Sequence, residues 1–162
     1  MINIKFLNFS IISLLIFIGC KSKPIPVYDL DPFIKQTVNN SNNKEKIILN
    51  ICNEKILWDS IAIIGPYFKV SKVEDYLNVN NFSSIEDKLD GFVLGDDKCT
   101  LLFIKNKSII YYDTVFRKPV DFASLNTNTG DKPVIILKKD CNKFVIILTE
   151  YEGFYNLKKI NY

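Results

Sequence analysis

The sequence predicts an α+β domain: a mainly antiparallel sheet of hairpins with two or three short helices packed on one face. Three observations lead there. The helical pattern comes early, and most strand-like runs follow it. Short polar turns join those runs, as antiparallel hairpins require. Two Ser-x-x-Glu spacings mark helix starts between the first strands and the later ones.

The elements follow in chain order. Asp31-Pro32 opens a short helix with proline in its first turn. Phe33, Ile34, Thr37 and Val38 share one face of it, and the Asn-rich residues 39–43 end it. Residues 46–51 (KIILNI) read as a strand. Residues 56–64 (ILWDSIAII) are the most strand-like stretch and run into Gly65-Pro66-Tyr67. Ser71 and Glu74 have capping-box spacing and start a helix over 71–78, with Val73, Tyr76 and Leu77 as its apolar face. Ser83 and Glu86 repeat the spacing before a helical turn over 84–89, and Asp90-Gly91 reads as a turn before a brief strand over 92–94.

Residues 100–105 and 108–116 form a hairpin around Asn106, a residue that tolerates the left-handed backbone of a tight turn. Residues 117–132 read as a loop. A second hairpin pairs 134–137 with 144–149 across a polar turn at 138–142. The aromatic and basic residues 151–162 fit no class. Runs such as IAII and VIIL lack clean alternation, which predicts central strands covered on both faces.

The first twenty residues set the organisation of the chain. Lys5 supplies a basic start, residues 6–18 are an apolar run, and Phe17-Ile18-Gly19-Cys20 follows. The pattern is that of a secretory signal. It resembles the lipobox of bacterial lipoproteins, with Phe17 where that family usually has leucine. The resemblance implies cleavage after Gly19 and a thioether-linked diacylglycerol on Cys20, with palmitate-type acylation of the new amine. It also implies a lipid-anchored place in the cell envelope. Two competing readings are a membrane-spanning anchor and an ordinary cleaved signal. A spanning helix needs about 20 mostly apolar residues, and here Asn8, Ser10 and Ser13 interrupt the run and Lys21 follows it.

Three segments result: a signal peptide at 1–19, a flexible tether at 20–31 and a single α+β domain at 32–162. Pro24 and Pro26 keep the tether from forming a helix. Removal of residues 1–19 from the 162 leaves 143, the size of one domain that needs no staples to bury a core.

Trp58-Asp59 followed by Gly65-Pro66-Tyr67 resembles a pattern in small uncharacterised bacterial lipoproteins, in which a WD strand runs into a GPY turn and a short helix. The likeness extends loosely through the helix at 71–78 and the hairpin at 100–112. It implies an α+β domain and transfers no catalytic residue.

Composition excludes much chemistry. The net charge is +3, and no basic run or basic–aromatic stripe appears, so nucleic acid is not an expected partner. Histidine is absent, which removes the Ser-His-Asp and Cys-His sets and every histidine ligand. No cofactor and no metal site is expected. Cys52, Cys99 and Cys141 form no CxxC pair. In an oxidising envelope two of them can bond. Cys99 and Cys141 each open a strand-like run after a polar turn and are the candidate disulfide. The competing and slightly favoured reading is three buried thiols acting as small apolar side chains.

Other candidates are weaker. Trp58 reads as core and Asp59 as solvent-facing or turn-capping. Tyr111 and Tyr112, with Tyr151 and Tyr155, are a candidate aromatic interface. Asp96 and Asp97, with Asp90 or Asp113, are candidate acids for a cation or for acid–base work. The function these features favour is a non-enzymatic envelope lipoprotein. It would bind the membrane through lipidated Cys20 and meet a protein partner in the envelope. The alternative is a small carboxylate-dependent envelope hydrolase built on Asp96, Asp97 or Asp113.

Overall fold

The computed structural model describes residues 23–41, 46–52, 56–66, 68–92, 96–126, 132–148 and 155–160. The signal segment, with Gly19 and Cys20, lies outside them, as do Tyr67, residues 93–95, Gly130 and Tyr151. Among the described residues three α-helices, α1 (Asp31–Asn39), α2 (Val70–Leu77) and α3 (Glu86–Phe92), accompany eight strands. The strands are β1 (Lys46–Leu49), β2 (Ser60–Ile64), β3 (Lys98–Lys105), β4 (Ser108–Phe116), β5 (Val120–Asp121), β6 (Val134–Leu137), β7 (Phe144–Leu148) and β8 (Tyr155–Lys159).

The β3–β4 hairpin frames the first sheet. Asn106 and Lys107 have φ of 49° and 59°, so both central residues are left-handed, as a tight two-residue hairpin needs. The Asp59 carboxylate accepts the Asn106 N–H at 2.8 Å and ties the turn to the start of β2. β2 pairs antiparallel with β3 and β6 with β2, giving the order β4-β3-β2-β6. The second sheet runs β1-β7-β8-β5, with β5 parallel to β8 and the other pairs antiparallel.

The two sheets face each other over one core. Ile61, Ile63, Leu101 and Phe103 of the first meet Leu49, Phe144, Ile146 and Leu157 of the second, with Leu30 and Ile34 closing one side. On the outer face of the first sheet, Ala62, Ile64, Leu102 and Ile104 pack against Val73 of α2, Leu89 of α3, and Phe82 and Ile85 between them. Successive residues of β2 and β3 therefore enter two different cores, which is why these runs do not alternate. The α+β class expected from the sequence holds, with the strands divided between two sheets.

Several local expectations change. The runs at 134–137 and 144–148 do not form a hairpin: β6 joins β2 and β7 joins β1. A single-turn 3-10 segment, Lys138–Asp140, turns the chain from one sheet to the other. The N-cap of α2 is Lys69 without a side-chain cap bond, so Ser71 sits inside the helix. Asn78 ends α2 at φ 47°, a left-handed position that asparagine tolerates. Asp90 and Gly91 fall within α3, and so does Phe92, the first residue of the expected strand.

The tether expectation fails from Ile25 onward. Ile25 is buried in the helix-side core. Val27 bridges Tyr112 in parallel; Tyr112 N–H donates to Pro26 O at 3.1 Å and Tyr28 N–H to Tyr112 O at 2.8 Å. Leu30 N–H donates to the Asp113 carboxylate at 2.7 Å. This stretch closes the open edge of β4. Pro26 has no N–H, so the new edge offers one donor fewer to a stray strand.

Candidate functional site

The sequence candidates scatter when folded. Tyr112 is buried beside Ile25 under the Lys88 ammonium, 5.6 Å from its ring centroid. Tyr111 is half-buried in edge-to-face contact with Tyr28, and Tyr155 is buried. The aromatic patch expected at Tyr111 and Tyr112 is therefore not exposed, because the segment from Pro26 to Tyr28 covers β4. Trp58 is core, in edge contact with Phe103, and the Lys138 ammonium lies 4.3 Å above its ring. Asp59 caps the hairpin, as described.

Both cysteine expectations are corrected, the Cys99–Cys141 bridge and the three buried free thiols. The disulfide joins Cys52 to Cys141, with Cα atoms 5.0 Å apart. Ile51 N–H donates to Cys141 O at 3.1 Å, which holds the two cysteines side by side. Cys99 stands on β3 opposite Val115, 1% exposed, as a free thiol. Burial, and then the nearby Asp121 charge, push this thiol up to about 12. It is neutral at ordinary pH and therefore a poor nucleophile.

Asp113 lies buried on β4. It accepts N–H bonds from Leu30 and Thr114, each at 2.7 Å. Burial raises its pKa above the ordinary carboxylate value, and the nearby Asp29 and Asp31 add to the rise. Asp96 and Asp97 instead sit exposed on the turn before β3.

These two acids help line a surface cleft of about 450 Å³ with Phe116, Arg117 and Lys118; Asp113 is not in its lining. Arg117 builds the cleft. Its Nε and Nη2 donate to the two oxygens of buried Asp121 at 3.0 and 2.8 Å. Its Nη1 donates to Asp96 O at 2.8 Å, and its backbone N–H to Asp97 O at 2.9 Å. Bonding to Asp121 raises the guanidinium pKa further. Asp121 also accepts the Ala123 N–H at 2.9 Å, which fixes the carboxylate from below. Such a two-pronged pair is rigid and geometrically specific.

Phe116 is 49% exposed on the wall, with the Lys98 ammonium 5.1 Å from its ring centroid. The result is a preformed rim: two exposed carboxylates, the exposed Lys118 and an aromatic face, held by an arginine already engaged with its neighbours. Rims that combine an aromatic anchor with charges of both signs suit protein recognition. No motif marks Arg117 in the sequence; its one signal is that it is the single arginine in a chain otherwise furnished with lysines. A lysine cannot reproduce its fork.

Among the described residues no group of three His, Cys, Asp or Glu side chains is arranged to hold a metal ion. An apolar void of about 20 Å³ between the sheets, lined by residues such as Leu30, Ile63 and Phe122, has room for about one water molecule and for no larger ligand. Among the described residues no helix is long and apolar enough to cross a membrane. Comparison with protein families, curated proteins and solved structures finds no match for this chain.

Proposed function

We propose that the protein is a lipid-anchored envelope lipoprotein that works as a non-enzymatic binding module, with the Phe116–Arg117 cleft as its recognition surface. Phe17-Ile18-Gly19-Cys20 supports the anchor. Two or three acyl chains on Cys20 supply stable anchoring, because one chain alone holds only marginally. The observation that carries the binding reading is the rigid Arg117–Asp121 pair that presents Phe116 beside Asp96, Asp97 and Lys118. Among the described residues of that rim, Asp96, Asp97, Phe116, Arg117 and Lys118, no serine, threonine or cysteine stands beside a base.

The test is photo-crosslinking from Phe116 in native envelopes, with exposed Ser83 on the helix side as the control position. The reading expects one saturable protein adduct at 116. It also expects Asp97→Lys, which inverts one rim charge, to weaken that adduct at least tenfold. Equal, non-saturating labelling from both positions would refute it.

The hydrolase alternative has one observation in its favour: Asp96 and Asp97 line the same cleft. Both acids are exposed there, and the cleft is open to water. Turnover of an envelope polymer that disappears in Asp96→Asn or Asp97→Asn would favour this alternative over the binding module.

A further inference from the structure

The docked N-terminal segment sets both a distance and a direction. Four residues separate Cys20 from Ile25, the first buried residue of the described chain. Five Cα steps span at most about 18 Å. A lipidated Cys20 therefore holds the domain against the bilayer.

The direction follows from the pairing. Val27 runs parallel to β4 at Tyr112, so the chain before it leads back toward the start of β4 at Ser108. Ile25 packs with Ile109 and Ile104, which agrees with that path. The described chain thus joins the domain from the β3–β4 turn end, and a lipid on Cys20 reaches it from that side. The Asp96–Asp97 turn lies at the other end of the same hairpin, where Lys98 pairs with Phe116.

The turn end carries the fitting charge. Lys23 and Lys107 are exposed and Lys105 is half-exposed. Lys107 holds a φ of 59°, a position that favours Gly or Asn, and there it places an ammonium at the hairpin tip. Lys138 enters the same end from β6, its N–H donating to Asp59 O at 2.8 Å, and Leu57, two residues before Asp59, is 68% exposed. Asp59, just before β2, is a carboxylate beside the turn, and its Oδ2 accepts the Asn106 N–H. Glu74, Asp75, Glu86 and Asp87 lie on the helices that cover the sheet's outer face.

We propose that the β3–β4 turn, through Lys23, Lys105 and Lys107, rests on the anionic headgroups of the bilayer that holds Cys20, and that this contact points the Phe116–Arg117 cleft away from the membrane. The proposal rests on the lipid-anchor reading. Basic groups feel an anionic surface only within about a Debye length, roughly 8–10 Å. The short connection keeps them within such a reach.

The test uses the full lipidated protein in phosphatidylcholine vesicles, with and without 30% phosphatidylglycerol. Lysine acylation, read by peptide mass spectrometry, compares Lys23 and Lys107 with exposed Lys118 beside the cleft. The expected result is at least a fivefold loss of reactivity at Lys23 and Lys107 in anionic vesicles. Lys118 stays unchanged, and 0.5 M salt reverses the loss. Co-sedimentation with equal reactivity at Lys107 and Lys118 overturns the docking and leaves the anchor standing. Equal protection in neutral vesicles overturns the role of headgroup charge. Failure to co-sediment with either vesicle overturns the anchor, and the proposal falls with it.

Discussion

Removing the Cys52–Cys141 bridge is the most informative test of the fold. The bridge spans 89 residues in sequence and ties the end of β1 to the turn before β7. Closing a loop of that length restricts the unfolded chain by about 4–5 kcal/mol on the chain-entropy account. A domain of this size has about 5–15 kcal/mol of net stability. Unfolding entropy near the midpoint is about 2.1 cal/mol/K per residue, which converts that loss to a drop in Tm of about 15 °C. The assay is thermal unfolding by circular dichroism of Cys52→Ala/Cys141→Ala against the parent, both carrying Cys20→Ser to keep acylation out of the scan. A drop below about 3 °C would refute the reasoning, since the cross-link would then not constrain the unfolded chain.

Three further outcomes are expected. Cys99 has a pKa of about 12 against an ordinary 9.0, so its thiolate fraction at pH 8 is about a thousandfold lower before steric shielding is counted; iodoacetamide should label it only after denaturation, and rapid labelling of the native protein would contradict its burial. The carboxylates Asp113 and Asp140 act in opposite pH windows. The folded state raises the pKa of Asp113, so its charge opposes folding and stability falls as pH rises from the unfolded value near 3.8 through the folded value. Hydrogen bonds from Lys143 and Lys159 lower the pKa of Asp140, so its contribution is present above 3.8 and lost as pH falls below it. In denaturant titrations across pH 2–7, Asp113→Asn should flatten the first window and Asp140→Asn the second; the reverse assignment would contradict these environments. Finally, Leu89→Ala should cost about 2–5 kcal/mol, because Leu89 is fully buried between α3 and the first sheet; a denaturant midpoint unchanged from the parent would show that the helix layer does not pack there.

Legibility followed sequence distance. The β3–β4 hairpin was readable because Asn106 signals a left-handed turn between two apolar runs. The start of α1 was readable from Asp31-Pro32, and β2 from its buried run. The division into two sheets was not, because it rests on β2 with β6 and β1 with β7, pairings that no local pattern encodes. Adjacent VIIL-type runs look alike whether they join each other or separate sheets. The disulfide failed for the same reason: Cys52 meets Cys141 through a contact between distant strand ends, while Cys99 faces the core. Pro24 and Pro26 suggested a free linker, yet an extended proline segment is equally suited to cover a sheet edge. That cover buried Tyr112 and removed the expected aromatic patch. Of the candidate site, Asp96 and Asp97 were legible as an acidic turn. Arg117 was not, because its partner Asp121 matters only once burial makes their pairing rigid.

The central claim is that Cys20 anchors a single bridged domain to the membrane. Intact mass of the protein extracted from its native membrane, alkylated under denaturing conditions with and without reduction, tests it most directly. The account predicts the mass of residues 20–162 plus two or three acyl chains, with one alkylated thiol before reduction and three after. An unacylated full-length mass of 18.7 kDa would contradict the anchor, and with it the proposed function and the orientation at the bilayer.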